Sequence, residues 1–106
     1  KEVIELVDEF KFASFTFFHK QNLLIVETTK INLTTKENEL LKLFCINLNE
    51  KVDRNHALIK IWGDDSYYNA RSMDVYIAKL RKYLSHNEKV QIKTIHGHGF
   101  KLMVLD

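Results

Sequence analysis

Basic side chains are concentrated in the C-terminal half of this 106-residue chain, and they are the groups whose chemistry stands out. Residues 1–50 hold six Lys or Arg and eight Asp or Glu, whereas residues 51–106 hold ten and six, so the net charges are −2 and +4. Between Asn69 and Lys101, seven basic residues are accompanied by only two acids. Because concentrated positive charge attracts polyanions such as nucleic acids, we expect a polyanion-binding face here. The alternative is that these charges only hydrate an ordinary surface.

A helix predicted over about residues 69–84 carries the centre of this charge. Advancing 100° per residue groups four apolar side chains into one narrow stripe, which is typical of a buried face: Met73, Ile77, Leu80 and Leu84. The opposite face centres on Val75, and its other members are Ser72, Lys79 and Lys82. This composition suits a DNA major groove, whereas the plainer alternative is a solvated helix face with one stray valine.

Each side chain of that second face has a defined chemistry toward DNA. An α-helix fits the major groove, where the methyl groups of Val75 can pack against thymine methyl groups. Lys79 can donate to guanine O6 or N7, or to a phosphate. Tyr76 and Arg71 flank the face, where they can reach the two phosphate backbones.

The segment KTIHGHGFK predicts a narrow hairpin tip that carries His96 and His98 between Lys93 and Lys101. Two glycines in the connection allow positive φ angles at the tip. A slim basic hairpin can enter a minor groove, where a cation favours the narrow, A·T-rich form. A plain exposed turn and a metal site are the alternatives, and a metal would need further ligands that are not near in the sequence.

Little in the sequence favours catalysis or membrane insertion. No nucleophile with a base and no convergent acid pair is visible, so we expect no enzyme and no catalytic residues. The single cysteine, Cys45, lies in the apolar run LLKLFCINL and is predicted to be a buried, inert thiol. It excludes an internal disulfide, which is typical of a reducing, cytosolic compartment. No apolar stretch approaches the ~20 residues that span a bilayer.

The N-terminus has no signal-peptide pattern, and since the chain does not begin with Met we expect a fragment or a processed product.

The elements that hold these side chains follow from the patterns along the chain. Residues 3–33 are rich in aromatic and β-branched residues and lack a crossover helix, which predicts antiparallel strands with a turn at HKQN. Thr34 and Glu37 form a predicted capping box that starts a helix. Its predicted apolar face consists of Leu40, Leu41, Phe44, Cys45 and Leu48. NLNEKVD ends that helix, and a short second helix, RNHALIKIW, follows with Asp53 as N-cap and Gly63 just beyond its end.

Two short β-runs, VQIKTI and FKLMVL, flank the histidine-bearing turn near the end of the chain. A sheet, three helices and a hairpin, in that order, predict an α+β winged helix-turn-helix. The small N-terminal sheet is expected to cover the helices on the side opposite the hairpin.

These motifs together resemble the DNA-binding effector domain of the OmpR/PhoB response regulators of bacterial two-component systems. The likeness is carried by LTTKENELLKLF, VDRNHALIKIWG, NARSMDVYIAKLRKYL and IKTIHGHGFKL, which occur in that order and cover about residues 10–105. It implies an N-terminal antiparallel four-stranded sheet, three helices and a C-terminal β-hairpin wing. It also implies that residues 1–9 end an interdomain linker, that residues 10–106 form the winged-helix domain, and that a receiver domain is absent from this chain.

The resemblance implies roles for individual residues. Base-contacting positions of the third helix fall on Ser72, Val75, Tyr76 and Lys79. Positions at or beside phosphate contacts fall on Trp62, Arg71, Arg81, Lys82 and Thr94. The wing residues expected at the minor groove are His96 and His98. The loop that contacts RNA polymerase in relatives falls on Asp64, Asp65, Ser66 and Tyr67.

The chain departs from the family where many relatives carry arginine, at Ala78, Lys79 and His96. Lysine cannot make the planar two-pronged contact of arginine with guanine, and histidine is only partly charged at neutral pH. These changes predict a weaker isolated domain or a target site poorer in guanine. Asp74, which lies on the side of the helix that carries Arg81, is assigned a structural or interdomain role.

The same resemblance implies the partners. We expect double-stranded promoter DNA with direct repeats, bound by a head-to-tail dimer, and contact with RNA polymerase. A receiver domain in cis and an upstream sensor histidine kinase are expected in a bacterial cytoplasm, with no cofactor, metal or membrane. A winged-helix module that binds protein is the competing function, and the basic third helix argues against it.

Overall fold

The computed structural model describes residues 8–105, which form seven strands, three main helical units and a short 3-10 helix between the second and third strands. In chain order these are β1 (Glu9–Phe12), β2 (Phe15–Phe18), β3 (Leu23–Val26), β4 (Thr29–Asn32), α1 (Thr35–Ile46), β5 (Lys51–Asp53), α2 (Arg54–Ala57, continued by a π-helical segment, Leu58–Trp62), α3 (Tyr67–Leu84), β6 (Val90–Ile95) and β7 (Gly99–Val104). The predicted α+β winged architecture is confirmed. The predicted linker lies outside the described residues except for its last two positions, and Glu9 already belongs to β1.

The first four strands form the predicted antiparallel sheet, and their order in it is β1-β2-β3-β4. Two-residue connections join β1 to β2 and β3 to β4, and Ala13 and Glu27 adopt positive φ angles in them (52° and 55°). The predicted turn at HKQN contains a 3-10 helix, His19–Gln21, that ends at Asn22 in a left-handed conformation. One face of the sheet is buried against the helices through Phe12, Phe15, Phe17, Leu24 and Val26.

α1 begins at the predicted capping box. The Thr34 amide donates to Glu37 Oε1 (2.8 Å), and the Glu37 amide donates to Thr34 Oγ1 (3.3 Å). The second oxygen of the buried Glu37 carboxylate accepts from the Tyr83 hydroxyl (3.0 Å), so the box also ties α1 to α3. The predicted apolar face is correct for Leu40, Leu41 and Phe44, with Leu43 in addition. Leu48 lies beyond the helix, which ends at Ile46, so its assignment to that face was wrong.

The neighbouring residue, Asn38, ties α1 to the N-terminal sheet. Its side-chain amide donates to the His19 carbonyl (2.7 Å) and to Asn22 Oδ1, and its own oxygen accepts from the His19 ring (2.6 Å). Asn38 is buried, so these partners satisfy polar groups that would otherwise be costly to remove from water.

β5 was not predicted, since the sequence around it indicated only the end of a helix. Only one of its three side chains, Val52, is buried. Three residues are too few to show the alternation of buried and exposed side chains that marks a strand. β5 pairs with β7, so the C-terminal sheet has three strands in the order β5-β7-β6 rather than two. Gly99 is required by this pairing, because a Cβ there would lie 2.0 Å from the Val52 carbonyl oxygen.

The second and third helices begin and end at identifiable caps. Asp53 accepts from the His56 amide (3.0 Å), and Gly63 adopts φ 94° after the π-helical segment, both as predicted. α3 begins at Tyr67, two residues earlier than predicted, because Ser66 accepts from the Asn69 amide (3.2 Å) and caps it. In residues 8–105, no helix combines the length and the apolar composition needed to cross a membrane.

Gly99→Ala is expected to destabilise the fold by about 1–3 kcal/mol, since the new Cβ has to displace the backbone of β5. The matched control is Gly97→Ala. Gly97 has φ 77° but open space around an added Cβ, so backbone conformation alone costs about 1–2 kcal/mol there. Urea unfolding of the two variants measures the difference. A smaller loss for Gly99→Ala than for Gly97→Ala would contradict the required close approach of β5 and β7.

Candidate nucleic-acid interface

The two faces of α3 lie as the sequence predicted. The stripe of Met73, Ile77, Leu80 and Leu84 is fully buried. Val75 on the opposite face is 54% exposed, and Lys79 and Lys82 are exposed beside it. Ser72 is half-buried, and Ala78 adds a small exposed side chain. Burial of the apolar stripe therefore leaves an exposed surface on which one branched apolar residue lies among small, polar and basic ones.

Four side chains from three elements form a continuous stack beside this surface. The Lys36 ammonium lies 5.4 Å from the Trp62 ring centroid and donates to the Ile61 carbonyl (2.7 Å). The Trp62 and Tyr76 ring centroids are 5.8 Å apart, and the Lys79 ammonium lies 5.2 Å from that of Tyr76. Cations are attracted to the faces of aromatic rings, so Tyr76 restricts where Lys79 places its charge. Tyr76 and Trp62 are half-buried, so part of each side chain is accessible to solvent.

The predicted polymerase-contact residues lie at the start of α3. Asp64 Oδ1 accepts from the Ser66 amide (3.0 Å) and from the Asn69 side chain (2.7 Å). These hydrogen bonds, first the one from the Ser66 backbone, lower the pKa of Asp64. Asp65 is exposed. Tyr67 is the first residue of α3 rather than part of the loop, so its placement in the loop was wrong, and Asp64 and Ser66 serve the helix start.

Arg71 lies one turn into α3, next to Tyr67. Its Nη1 donates to the Tyr67 hydroxyl (3.0 Å), and its guanidinium lies 5.7 Å from the Tyr67 ring centroid. Both side chains are exposed, and Tyr67 is 76% exposed. The cation predicted to reach a phosphate is thus held at the edge of the Val75 surface.

Arg81 and Thr94, two of the predicted phosphate-contacting residues, bind each other. Arg81 Nε and Nη2 both donate to the Ile92 carbonyl (3.0 and 2.9 Å), and Nη2 also donates to Thr94 Oγ1 (2.8 Å). The last turn of α3 is thereby joined to β6. Sequence reasoning missed this link because its partners are separated by 11 and 13 positions and no local pattern connects them.

The predicted wing comprises β6, β7 and the turn between them. His96 and His98 are exposed at its tip on either side of Gly97, and the His98 amide donates to the Ile95 carbonyl (2.9 Å). Within residues 8–105, no cluster of three or more His, Cys, Asp or Glu could hold a metal ion. The tip therefore presents two imidazoles on a turn whose backbone is closed by its own hydrogen bond.

Arg54 was not predicted as a site residue, yet it joins α2, α3 and the wing. Its Nη2 pairs with Asp74 Oδ1 (2.9 Å) and donates to the Ala70 carbonyl (3.3 Å). The guanidinium lies 5.6 Å from the Phe100 ring centroid, and the Arg54 amide donates to the His98 carbonyl (2.9 Å). Asp74 thus has a structural partner in Arg54, consistent with its exclusion from the base-contacting set.

Cys45, which was predicted to be buried, is partly buried against the core. Burial raises the pKa of its thiol, so the nucleophilic thiolate is not formed at neutral pH.

Comparison with known proteins decides the family. A family model described as "Transcriptional regulatory protein, C terminal" matches residues 28–102, which is more than half of the chain. The chain belongs to this family. The transcriptional regulatory protein RprY of Bacteroides fragilis is 49% identical over 94 residues, which are 89% of this chain and 40% of that protein. The regulatory C-terminal domain described here therefore spans about two fifths of that relative's length.

Solved structures agree with the fold of this regulatory domain. DrrB of Thermotoga maritima, described as an OmpR/PhoB homolog, is 26% identical with a TM-score of 0.77 over 93% of this chain and 46% of that chain. The RstA DNA-binding domain of Klebsiella pneumoniae, solved in complex with the RstA box, has a TM-score of 0.77 at 24% identity and covers 92% of this chain and 98% of that one. The OmpR/PhoB resemblance is confirmed.

Acidification is expected to loosen the start of α3 in the regulatory domain. The pKa of Asp64 is lowered from its ordinary value of 3.8. At pH values above 3.8 the ionised carboxylate therefore stabilises this turn, and the stabilisation is lost as the pH falls through the lowered pKa. The NMR shift of the Ser66 amide proton, followed from about pH 6 downward, measures the release. Asp64→Asn is the matched control, because its amide oxygen still accepts but cannot titrate. A Ser66 amide shift that does not change with pH in the unmodified chain would contradict the hydrogen bond to Asp64.

Proposed function

We propose that this domain binds double-stranded DNA sequence-specifically and regulates transcription as the output domain of an OmpR/PhoB-type response regulator. One observation carries the proposal. Burial of one face of α3 turns Val75 and Lys79 outward on the same side, while Arg54 and Arg81 fasten a slim wing to that helix. A helix and a hairpin held in a fixed relation suit simultaneous contact with adjacent grooves.

In this proposal α3 enters the major groove. Val75 contacts a thymine methyl group, and Lys79 donates to a base edge from its place over the Tyr76 ring. Ser72 supplies a hydroxyl, and the half-buried Tyr76 completes the base-contacting set. The small side chain of Ala78 lets the helix approach closely at the position where many relatives carry arginine.

The remaining predicted residues grip the backbone and the minor groove. The phosphate-contacting set is Trp62, Arg71, Arg81, Lys82 and Thr94. His96 and His98 enter the minor groove at the tip of a basic wing, where positive charge favours a narrow A·T-rich site. The RstA domain solved with its box has the same fold, which supports this docking mode by analogy.

The partners follow from family membership and belong to the proposal. Two copies bind direct repeats head to tail, and RNA polymerase contacts Asp64, Asp65, Ser66 and Tyr67. A receiver domain in cis and a sensor histidine kinase act upstream, in the bacterial cytoplasm. The basic surface around Val75 supports DNA rather than a protein partner for α3, since an acidic or apolar surface would suit the latter.

Titration of fluorescent duplex DNA at two salt concentrations tests the function. Neutralising several phosphates releases counterions, so log K should fall linearly with log salt, with a slope of about −0.9 per phosphate contacted. A duplex selected from a random pool should bind more tightly than an unrelated duplex of equal length. Absence of binding at low salt, or binding that does not change with salt, would refute the proposal.

Lys79→Ala is expected to relax base preference at one position of the selected site and to cost about 1–3 kcal/mol on that site. The matched control is Lys82→Ala, which removes an exposed lysine of the same face that is assigned to phosphate. The control should weaken all sequences alike and flatten the salt slope by about one unit. Site selection with each variant measures the preference. An unchanged preferred site for Lys79→Ala would show that the base-contacting set is wrong.

A further inference from the structure

We propose that Arg81 is a positioning residue that fixes the wing relative to α3 and thereby sets how well the wing distinguishes base pairs in the minor groove. This role is distinct from the phosphate contact that the family resemblance implies for Arg81. The inference rests on the proposed function, because it concerns how the same DNA surface achieves specificity.

The first support is the geometry of the guanidinium. Nε and Nη2 converge on one acceptor, the Ile92 carbonyl oxygen, and Nη2 also reaches Thr94 Oγ1. A planar guanidinium that makes two bonds to one oxygen and a third, at 2.8 Å, to a hydroxyl has little freedom to rotate. All three hydrogen bonds go to acceptors on β6, which indicates a structural attachment rather than a side chain that extends freely into solvent.

The second support is the anchoring at both ends of the link. On α3, Arg81 lies between Leu80 and Leu84, which are fully buried, so the core fixes its Cα. On β6, the acceptor belongs to Ile92, whose side chain is also buried. A link between two fixed backbones transmits position, whereas a link between mobile groups would not.

The third support is the place of β6 in its sheet. The order is β5-β7-β6, so β6 is an edge strand with β7 on one side only. Arg81 occupies the Ile92 carbonyl, a group that an edge strand otherwise leaves to solvent. At the far end of the wing, the backbone amide of Arg54 donates to the His98 carbonyl, which belongs to the turn. Without Arg81, β6 would keep its pairing with β7 and the burial of Val90 and Ile92, but it would lose these hydrogen bonds to α3.

These contacts affect specificity because the Arg81 attachment lies close to the wing tip. Thr94 precedes His96 by two residues, which is about 7 Å along a strand, so a shift at the stem is carried to the tip. Binding groups must be held to within about 0.5 Å of the productive geometry. A wing that shifts by more than this can still meet phosphates but distinguishes base pairs less well.

The same guanidinium can also serve DNA directly. In residues 8–105, the hydrogen bonds of Arg81 use Nε and Nη2 and leave Nη1 to be shared with a phosphate. The two roles predict different consequences. Loss of a phosphate contact weakens all sequences alike, whereas loss of wing position changes the ratio of affinities between sequences that differ only at the wing.

The experiment compares Arg81→Met with the matched control Lys82→Met in the 106-residue chain. Methionine keeps much of the aliphatic length of either side chain and removes its charge. Three duplexes are titrated: the selected site, the site with A·T pairs under the wing changed to G·C, and the site with one pair under α3 changed. A changed pair costs about 1–3 kcal/mol, so each change should weaken the unmodified chain roughly 5- to 150-fold.

For Arg81→Met we expect the affinity ratio at the wing position to fall toward one and the ratio under α3 to stay within about twofold of the unmodified chain. Lys82→Met should leave both ratios unchanged while lowering every affinity. Hydrogen exchange of the free protein should show faster exchange of the β6 amides in Arg81→Met only. This second readout follows wing position without DNA.

Uniform weakening by Arg81→Met with both ratios kept would overturn the proposal and leave a phosphate contact alone. Unfolding of Arg81→Met, seen by circular dichroism, transfers the test to Thr94→Val, which removes one acceptor and keeps the β-branched shape. Thr94→Val should lower the wing ratio in the same direction by a smaller factor, and an unchanged ratio would overturn the proposal. If the unmodified chain fails to bind the selected site, the proposed function itself is refuted. This result is distinct from the two variant results that would overturn only the role of Arg81.

Discussion

Burial of one face of α3 is the constraint on which the exposed surface of this domain depends. Met73, Ile77, Leu80 and Leu84 are each at most 2% exposed, so the helix cannot turn about its axis without bringing them into water. Exposing one such side chain costs about 1.5–3 kcal/mol. The outward direction of Val75 is therefore set by residues on the opposite side of the helix. A surface fixed in this way is available to a ligand without rearrangement.

Two arginines then place the wing against that helix. Arg54 is only partly buried and Asp74 is exposed, so their ion pair by itself contributes little in water. Its importance comes from convergence, since one residue contacts α3, Phe100 and the carbonyl at the wing turn. Arg81 adds the attachment along β6. Helix and hairpin are consequently joined by side-chain contacts, although each is built from local signals.

Those local signals were predictable, and the contacts between elements were not. The capping box of Thr34 and Glu37, the Asp53 cap and the rotation of α3 follow from residue types within a few positions of one another. The links made by Arg54 and Arg81, by contrast, join residues 11 or more positions apart, and no periodic pattern marks such partners.

β5 escaped prediction for a related reason. Three residues cannot display an alternating pattern, and its identity as a strand comes from a partner near the end of the chain.

That partner has a consequence for how the chain acquires its structure during synthesis. The strands of the N-terminal sheet pair with their sequence neighbours, so they can associate while the chain is still short. β5 must wait for β7, because Val52 pairs with Phe100, and the closure of so long a loop carries an entropic cost. During synthesis the N-terminal sheet therefore leaves the ribosome well before β5 and β7 can pair. The three-stranded sheet that carries the wing is the last part of the domain to become complete.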